Sequence, residues 1–306
     1  MRVAVTGASG FVGGAVCRAA VAAGWSVHAF GRRVPAPAHV AGAAYRSWDL
    51  LGARPGALPE VDAVIHCAGS VTDWGPPRRI WAANVHGTRA ALAAFPEARF
   101  VHVSTASVYD PFRPTVMARE REAPVGRYVN AYGASKACAE RLVAGRGVVL
   151  RPHAVYGEGD TTLLPRVLGA VRGRRLFAVG DGRQWISLTS VGNLVAACLL
   201  AAAGPVERGV YNVTDAEPVV LDDALRAVLR ERRVPAEPCY LPLRLVEPLA
   251  ALAEAVFTGF GADRPPRLTR YAVGHLAVER TLDISAARRD LGFAPQPTCF
   301  SGAADW

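Results

Sequence analysis

Tyr132-Gly133-Ala134-Ser135-Lys136 sets a phenol and an ammonium four residues apart. On a helix that spacing stacks the two side chains on one face, one turn apart. An ammonium beside a phenol favours the phenolate, so Lys136 is expected to lower the Tyr132 pKa from about 10. Tyr132 then becomes a usable general acid or base near neutral pH. Y-x-x-x-K is short and common, but the basic residues sharpen it. Lys136 is the single lysine among 35 Lys plus Arg. A chain that writes guanidinium everywhere else keeps a compact ammonium here, and the two groups are not interchangeable at a crowded site. A second hydroxyl cluster follows a strand-like run, at Ser104-Thr105-Ala106-Ser107-Val108-Tyr109. Thr105 can donate a hydrogen bond to a carbonyl oxygen and stabilise its developing charge. Ser104 and Ser107 compete for that role.

A phosphate site is legible at the N-terminus. Thr6-Gly7-Ala8-Ser9-Gly10-Phe11-Val12-Gly13 follows one strand and opens a helix. Its glycines, spaced G-x-x-G-x-x-G, permit a tight turn and let a pyrophosphate approach backbone N–H groups at the helix N-terminus. A dinucleotide is the expected ligand. The next strand ends Ala29-Phe30-Gly31-Arg32-Arg33. An acid in the Gly31 slot would mark a free ribose 2′-hydroxyl; here two guanidiniums follow, which suit a 2′-phosphate. NADP(H) is therefore preferred, with NAD(H) possible. Asp49-Leu50 can meet the adenine, and Lys136 the nicotinamide ribose. The small residues of Cys67-Ala68-Gly69 let backbone pass close to the cofactor. His66 reads as a packed, hydrogen-bonded histidine rather than a catalyst.

These residues need strands and helices to hold them. Arg2–Val5, Ser26–Phe30, Ala63–His66, Arg99–Val103 and Val148–Leu150 read as strands. Between them Phe11–Ala23, Arg78–Ala94 and Ala131–Ala144 read as helices. That alternation predicts an α/β Rossmann fold, a doubly wound parallel sheet with helices on both faces. The later chain predicts strands at Leu176–Val179, Trp185–Ser187 and Val210–Val213. Helices are expected over Val191–Ala203, Leu221–Arg232, Leu243–Phe257 and Ile284–Leu291, with a Pro-rich linker at Asp263–Arg267. Residues 1–160, with 181–213 returning, form the expected dinucleotide domain; 161–180 and 214–306 form a smaller, mixed substrate lobe.

The chain has 306 residues, 51% hydrophobic letters and a formal net charge of +9. That apolar fraction excludes disorder as the main state. The arginines are dispersed, with no aromatic RNA-binding signature or zinc-finger spacing, so a nucleic-acid partner is not expected. Six cysteines without C-x-x-C spacing argue against a disulfide framework or a metal site. No run reaches the roughly 18 apolar residues of a membrane span, and MRVAVTG opens on a strand without a leader. A cytoplasmic protein is the expectation.

Together these motifs resemble the extended short-chain dehydrogenase/reductases. Asn84-Val85-His86-Gly87-Thr88 and Arg151-Pro152-His153-Ala154-Val155-Tyr156-Gly157 add to the resemblance. The 3β-hydroxysteroid dehydrogenase-like branch, which includes bacterial ketone and 3-ketoacid reductases, looks nearest. Val71-Thr72-Asp73-Trp74-Gly75, Gly180-Asp181-Gly182-Arg183, Pro265–Tyr271 and Arg280–Phe293 carry that likeness. The resemblance implies Tyr132 as acid/base, Lys136 as its partner and Thr105 as the oxygen-binding hydroxyl. It implies that Pro152–Val155 faces the nicotinamide, that Asn84 supports a proton relay, and that a homodimer forms through paired helices. Gly7, Ser9, Gly10, Phe11, Val12, Gly13, Arg32, Arg33, Asp49, Leu50, Cys67, Ala68, Gly69, Ser104, Tyr132, Lys136, Pro152 and Val155 are the cofactor candidates. Val71, Trp74, Ala106, Ser107, His153 and Trp185 are the substrate candidates, with Trp81, Phe257 and Phe260 as further aromatic ones. The implied reaction is ketone reduction, or oxidation of the secondary alcohol, on a hydrophobic steroid, polyketide or fatty compound. A nucleotide-sugar epimerase or dehydratase with retained NAD is one alternative, against which Arg32 and Arg33 count. A non-catalytic NADP-binding protein is the other, against which the intact Tyr–Lys pair counts.

Overall fold

The computed structural model describes residues 1–110, 113–260, 266 and 269–306. The chain runs β1 (Arg2–Thr6), α1 (Phe11–Ala22), β2 (Ser26–Gly31), β3 (Ala44–Ser47), β4 (Ala63–His66), α2 (Pro77–Trp81), α3 (Gly87–Ala94) and β5 (Arg99–Val103). It continues through β6 (Thr115–Ala118), α4 (Ala131–Val143), β7 (Gly147–Pro152), β8 (Val155–Tyr156), α5 (Leu163–Gly169), β9 (Val171–Arg172) and β10 (Arg175–Val179). Then come β11 (Trp185–Ile186), β12 (Thr189–Ser190), α6 (Val191–Ala203), β13 (Gly209–Val213), β14 (Val219–Val220), α7 (Leu221–Glu231) and β15 (Glu237–Leu241). The last elements are α8 (Leu243–Gly259), α9 (Arg270–Leu276), β16 (Arg280–Leu282) and α10 (Ser285–Leu291).

Seven strands form one parallel sheet in the order β13-β7-β5-β4-β1-β2-β3. Its inner strands are apolar on both faces because helices cover both, as parallel sheets require. On one face α1, α6 and α10 bury Val16, Cys17, Leu194, Cys198, Ala287 and Leu291. On the other, Leu92, Phe95, Val143 and Phe100 pack together. Chain order reverses between β1 and β4, so the crevice at their C-terminal ends is the switch point where such sheets bind ligands.

Three smaller sheets, β14-β11-β16-β6, β15-β10-β9 and β12-β8, build the rest. α7 covers them with Leu221, Leu225 and Leu229, while Asp222 and Asp223 sit in its first turn, where the helix dipole favours them. Two sequence expectations are corrected here. Trp185–Ile186 pairs with β14 and β16, so the stretch returning to the large sheet starts after β11, not at residue 181. The single helix expected over Arg78–Ala94 is broken by a π-helical turn at Ala82–His86. The expected linker at Asp263–Arg267 lies, Pro266 apart, outside the described residues.

Candidate active site

The first strand and helix meet across a turn with no spare volume. Gly7 has φ +73°, and a Cβ there would stand 2.6 Å from the Ala68 backbone nitrogen. A Cβ on Gly13 would stand 2.3 Å from the Gly7 carbonyl oxygen. The turn therefore demands glycine at both positions. Gly10 caps α1 without any side-chain hydrogen bond, and no acid occupies the first turn. Backbone N–H groups and the positive end of the dipole are left for an anion. Ser9 stands on that turn, and Phe11 and Val12 open the helix.

The end of β2 explains why no acid stands at residue 31. A Cβ on Gly31 would meet Ser9 Oγ at 2.7 Å and Tyr45 Oη at 2.8 Å. Tyr45 Oη donates to the Arg33 carbonyl oxygen at 2.8 Å and fixes the following loop. Arg32 and Arg33 are exposed beside it. Asp49 is exposed and accepts from Leu51 N, with Leu50 half-buried next to it. Across the switch point, Cys67 and Ala68 are half-buried and Gly69 is exposed. The π-helical turn has a use here. Asn84 Oδ1 accepts from Ser70 N at 2.7 Å, and Asn84 Nδ2 donates to Ser135 Oγ at 2.9 Å. A Cβ on Gly69 would lie 2.8 Å from Asn84 Oδ1 and 4.0 Å from Lys136 Nζ. The cradle thus runs from the phosphate turn to the lysine and fits a dinucleotide.

α4 carries Tyr132 and Lys136. Asn130 Oδ1 accepts from Gly133 N and starts the helix. A Cβ at Gly133 would lie 2.8 Å from the Ser107 carbonyl oxygen, so this glycine lets α4 close onto the Thr105–Tyr109 turn. Tyr132 and Lys136 are both buried. Lys136 Nζ donates to the Val103 carbonyl oxygen at 2.6 Å. Burial lowers its pKa from 10.5 to about 8, against the opposing charge of Glu140.

The expected depression of the Tyr132 pKa is not what the structure shows. Burial raises it, a hydrogen bond with Thr105 partly offsets this, and Asp73 adds to the rise. The lysine is aimed at a backbone carbonyl, and desolvation of the phenol dominates. Thr105 Oγ1 donates to Ser107 Oγ at 3.1 Å and accepts from Ser107 N. Ser104 is settled elsewhere: its Oγ donates to Glu140 Oε1 at 2.5 Å. That carboxylate also takes Arg151 Nη2 at 2.7 Å in a fully buried pair. The Ser104 hydroxyl proton is thus engaged by Glu140.

His66 and His153 are both held by hydrogen bonds. His66 bonds Thr6 and Thr88 through its two ring nitrogens, and burial lowers its pKa to about 3. His153 bonds the Ser187 carbonyl oxygen, and its pKa falls to about 4. Pro152 is buried and Val155 half-buried; between them Ala154 holds φ +47°, a strained conformation for a residue with a Cβ.

A narrow pocket lies against the first turn of α4, with Asn130, Gly133 and Tyr271 in its wall. Ala106, Ser107 and His153 are among the residues that line it. Trp185 is corrected: it is 49% exposed and stands outside this cavity. Val71 is exposed on a separate open groove with Arg166, and Trp74 packs edge-on against Phe257 at 6.5 Å. Phe260 is exposed and Trp81 lies outside the cavity. Sequence reasoning passed over Tyr271, which lines the cavity and whose hydroxyl lies 2.8 Å from Ser107 Oγ. It also passed over Glu140, although Glu140 follows Lys136 by one helical turn. Among the described residues no His, Cys, Asp or Glu cluster could hold a metal ion, and no helix is long and apolar enough to cross a membrane.

The comparisons with known proteins agree with this geometry. Residues 3–214 match the NAD dependent epimerase/dehydratase family. The chain is 34% identical to 4-hydroxy-2-methyl-3-oxo-4-farnesyl-3,4-dihydroquinoline-1-oxide ketoreductase of Stigmatella aurantiaca, covering 97% of this chain and 93% of the relative. It is 31% identical to 2-alkyl-3-oxoalkanoate reductase of Stenotrophomonas maltophilia, over 99% and 97% of the two chains. The fold matches UDP-glucuronic acid 4-epimerase from Bacillus cereus with a TM-score of 0.74 at 20% identity, over 100% and 97% of the chains. With a glycine cradle at the switch point and ketone reductases as full-length relatives, the chain belongs to the NAD dependent epimerase/dehydratase family, within the extended short-chain dehydrogenase/reductases, as an NAD(P)-dependent oxidoreductase acting on CH–OH and C=O groups.

Proposed function

We propose that this protein is an NADPH-dependent ketone reductase for hydrophobic substrates, with Tyr132 as the proton donor. The observation that carries the reading is the buried Tyr132–Thr105 pair beside Lys136, at the C-terminal ends of β5 and the switch-point strands. When bound, the reduced nicotinamide supplies the hydride. Thr105 and Tyr132 hold the substrate oxygen between two O–H donors. Tyr132 would give that oxygen its phenolic proton as negative charge develops on it. Solvent would then restore the Tyr132 proton. A raised Tyr132 pKa keeps the proton on the phenol at neutral pH, the form a reduction needs. Lys136 and Asn84 flank the Gly69 backbone, where the nicotinamide ribose would lie. Both relatives are named for ketone reduction on long, largely apolar molecules, which supports the substrate class.

Arg32 and Arg33 support NADPH over NADH. Charge-assisted bonds are worth roughly 1.5–3 kcal/mol each. Replacing both by alanine is expected to weaken NADPH binding at least tenfold in a fluorescence titration and to move NADH binding far less. Equal losses would remove the NADP assignment. For the chemistry, NADPH oxidation is followed with hydrophobic ketones. Tyr132→Phe should lower the rate by about 10²–10⁴-fold. Equal rates in the two proteins would sink the catalytic assignment.

A further inference from the structure

We propose that Glu140, clamped by Arg151, is a positioning residue that works through Ser104: it holds the end of β5 so that the Val103 carbonyl meets Lys136 and Thr105 points away from α4's anchor, toward the site. This rests on the reading of Lys136 and Thr105 as parts of the reducing machinery. α4 is attached to the end of β5 at two consecutive residues. Lys136 Nζ donates to the Val103 carbonyl oxygen at 2.6 Å, and Ser104 Oγ donates to Glu140 Oε1 at 2.5 Å. Lys136 and Glu140 stand one turn apart on the helix, so the two bonds together fix the strand end against it. Thr105 continues the chain in extended form, with φ −164° and ψ 152°. Successive side chains of an extended chain point to opposite sides, so drawing Ser104 toward Glu140 sends Thr105 the other way.

The carboxylate that does the holding is itself fixed. Arg151 Nε donates to Glu140 Oε1 at 3.0 Å and Nη2 donates to Oε2 at 2.7 Å, a two-pronged pair that sets the plane of the carboxylate. Arg151 is tied in turn: Nη1 donates to the Glu120 carbonyl oxygen at 2.8 Å, and Nη2 to that of Ala123 at 3.2 Å. Ser104, Glu140 and Arg151 are all buried. Ser104 N also donates to the carbonyl oxygen of Leu150, the neighbour of Arg151 on β7, at 2.7 Å. The clasp thus joins α4, β5 and β7 at the C-terminal edge of the sheet. Replacing a buried ion pair by well-packed hydrocarbon is often neutral for stability, so stability alone does not account for this one. Hydrocarbon cannot hold a hydroxyl in one direction, and a satisfied polar network can.

Lys136 is the group that feels this placement. It is faced by Tyr132 and Glu140 on its own helix, by His66 and Cys67 at the end of β4, and by His102 of β5. Glu140 is the carboxylate among these, and both of its oxygens are engaged by Ser104 and Arg151. The bond that supports the ammonium comes instead from the Val103 carbonyl, whose place depends on the residue after it. A hydrogen bond to the charged form favours that form. Releasing Ser104 lets the strand end drift and weakens that support, and it loosens Thr105 at the same time.

The test is Ser104→Ala in the full chain, which cuts Glu140 from β5 and leaves the Glu140–Arg151 pair whole. Because Lys136 is the single lysine, protein grown on carbon-labelled lysine gives one ε-carbon NMR signal, and its pH titration reads this ammonium alone. Without added dinucleotide, the variant is expected to titrate lower than wild type by about half a pH unit or more. With NADPH and a hydrophobic ketone, kcat should fall by about tenfold or more. KM for either should change by less than about threefold, and the alkaline limb of the rate profile should move down with the lysine. The lysine signal needs no turnover. If the wild type reduces no ketone but the shift appears, the reaction reading fails and the positioning stands. An unmoved lysine titration overturns the inference whether kcat is kept or lost, since a loss of kcat alone would make the clasp a structural support. A shifted lysine with kcat unchanged would also overturn it, because the placement would then serve no step of the reaction.

Discussion

Replacing Lys136 by methionine should abolish turnover and stabilise the fold at the same time. The ammonium is buried, and its pKa is lowered from 10.5 to about 8. Each tenfold change in proton affinity corresponds to about 1.4 kcal/mol, so holding this charge at neutral pH costs the folded state roughly 3 kcal/mol. Methionine removes that cost but also removes the bond from Nζ to the Val103 carbonyl oxygen, worth about 1 kcal/mol. The expected net gain is about 2 kcal/mol at pH 7. Its pH dependence has a definite sign. Below about pH 8 the lysine is charged in both states and the cost is complete. Between about 8 and 10.5 the folded lysine is neutral while the unfolded one is still charged, so wild-type stability rises with pH. The advantage of the variant should therefore shrink through that window and be nearly gone at pH 10. Urea unfolding of both proteins at pH 7 and pH 10, without added dinucleotide, measures it. A methionine variant less stable at pH 7, or a gain that does not change with pH, would refute the claim that burial sets the lysine's proton affinity.

Three further outcomes follow from the same geometry. Glu140→Gln leaves the buried Arg151 guanidinium without its carboxylate and should cost about 3–5 kcal/mol; a calorimetric stability within 1 kcal/mol of wild type would contradict the pairing. Gly31→Asp should fail to convert the protein to NADH use, because its Cβ meets Ser9 and Tyr45. Weaker binding of both dinucleotides and a lower Tm are expected, and a clean gain in NADH affinity would be incompatible with the packing. His66 and His153 are buried with pKa values lowered to about 3 and about 4, so the unfolded chain takes up about two more protons than the folded one between roughly pH 4 and 6. Stability is fully present above about pH 6.5 and should fall by about 3 kcal/mol per pH unit through that window as pH drops. An equal urea midpoint at pH 7 and pH 5 would rule this out.

The parts of the fold visible in the sequence are those fixed by local pattern. Arg99–Val103 and Val191–Ala203 are read to the residue, because a buried strand and a long apolar helix between N-cap Ser190 and Gly204 carry their own boundaries. β6 and β16 are not legible in the sequence for the opposite reason. Each is three or four residues long and exists because Thr115 and Arg280 pair across the chain. The break at Ala82–His86 is likewise non-local: Asn84 must reach Ser70 and Ser135 at once. The site divides in the same way. Gly7, Gly13, Thr105, Tyr132 and Lys136 lie at strand ends or helix starts, and topology brings such places together. Tyr271 and Arg151 depend on which distant segments fold over them. Ser104 and Thr105 look alike in sequence, and only the position of Glu140 separates them.

The electrostatics of the Tyr–Lys motif show where spacing alone misleads. A turn of helix between phenol and ammonium suggests a simple pair in which the cation stabilises the phenolate. In the folded chain both groups are buried, and burial penalises the charged form of each. The phenol is pushed above 10 while the ammonium falls to about 8, so the neutral forms of both are favoured. Raising the pH takes the proton from Lys136 before it takes one from Tyr132. Tyr132 consequently keeps its proton across the neutral range and is fitted to give it up only when a stronger base, an oxygen gaining negative charge, forms against it. The same inversion makes Lys136 the titrating member of the pair. A rate that falls on the alkaline side near pH 8 would report loss of the lysine charge, whereas a rate that holds to pH 10 would mean that charge is not needed for turnover.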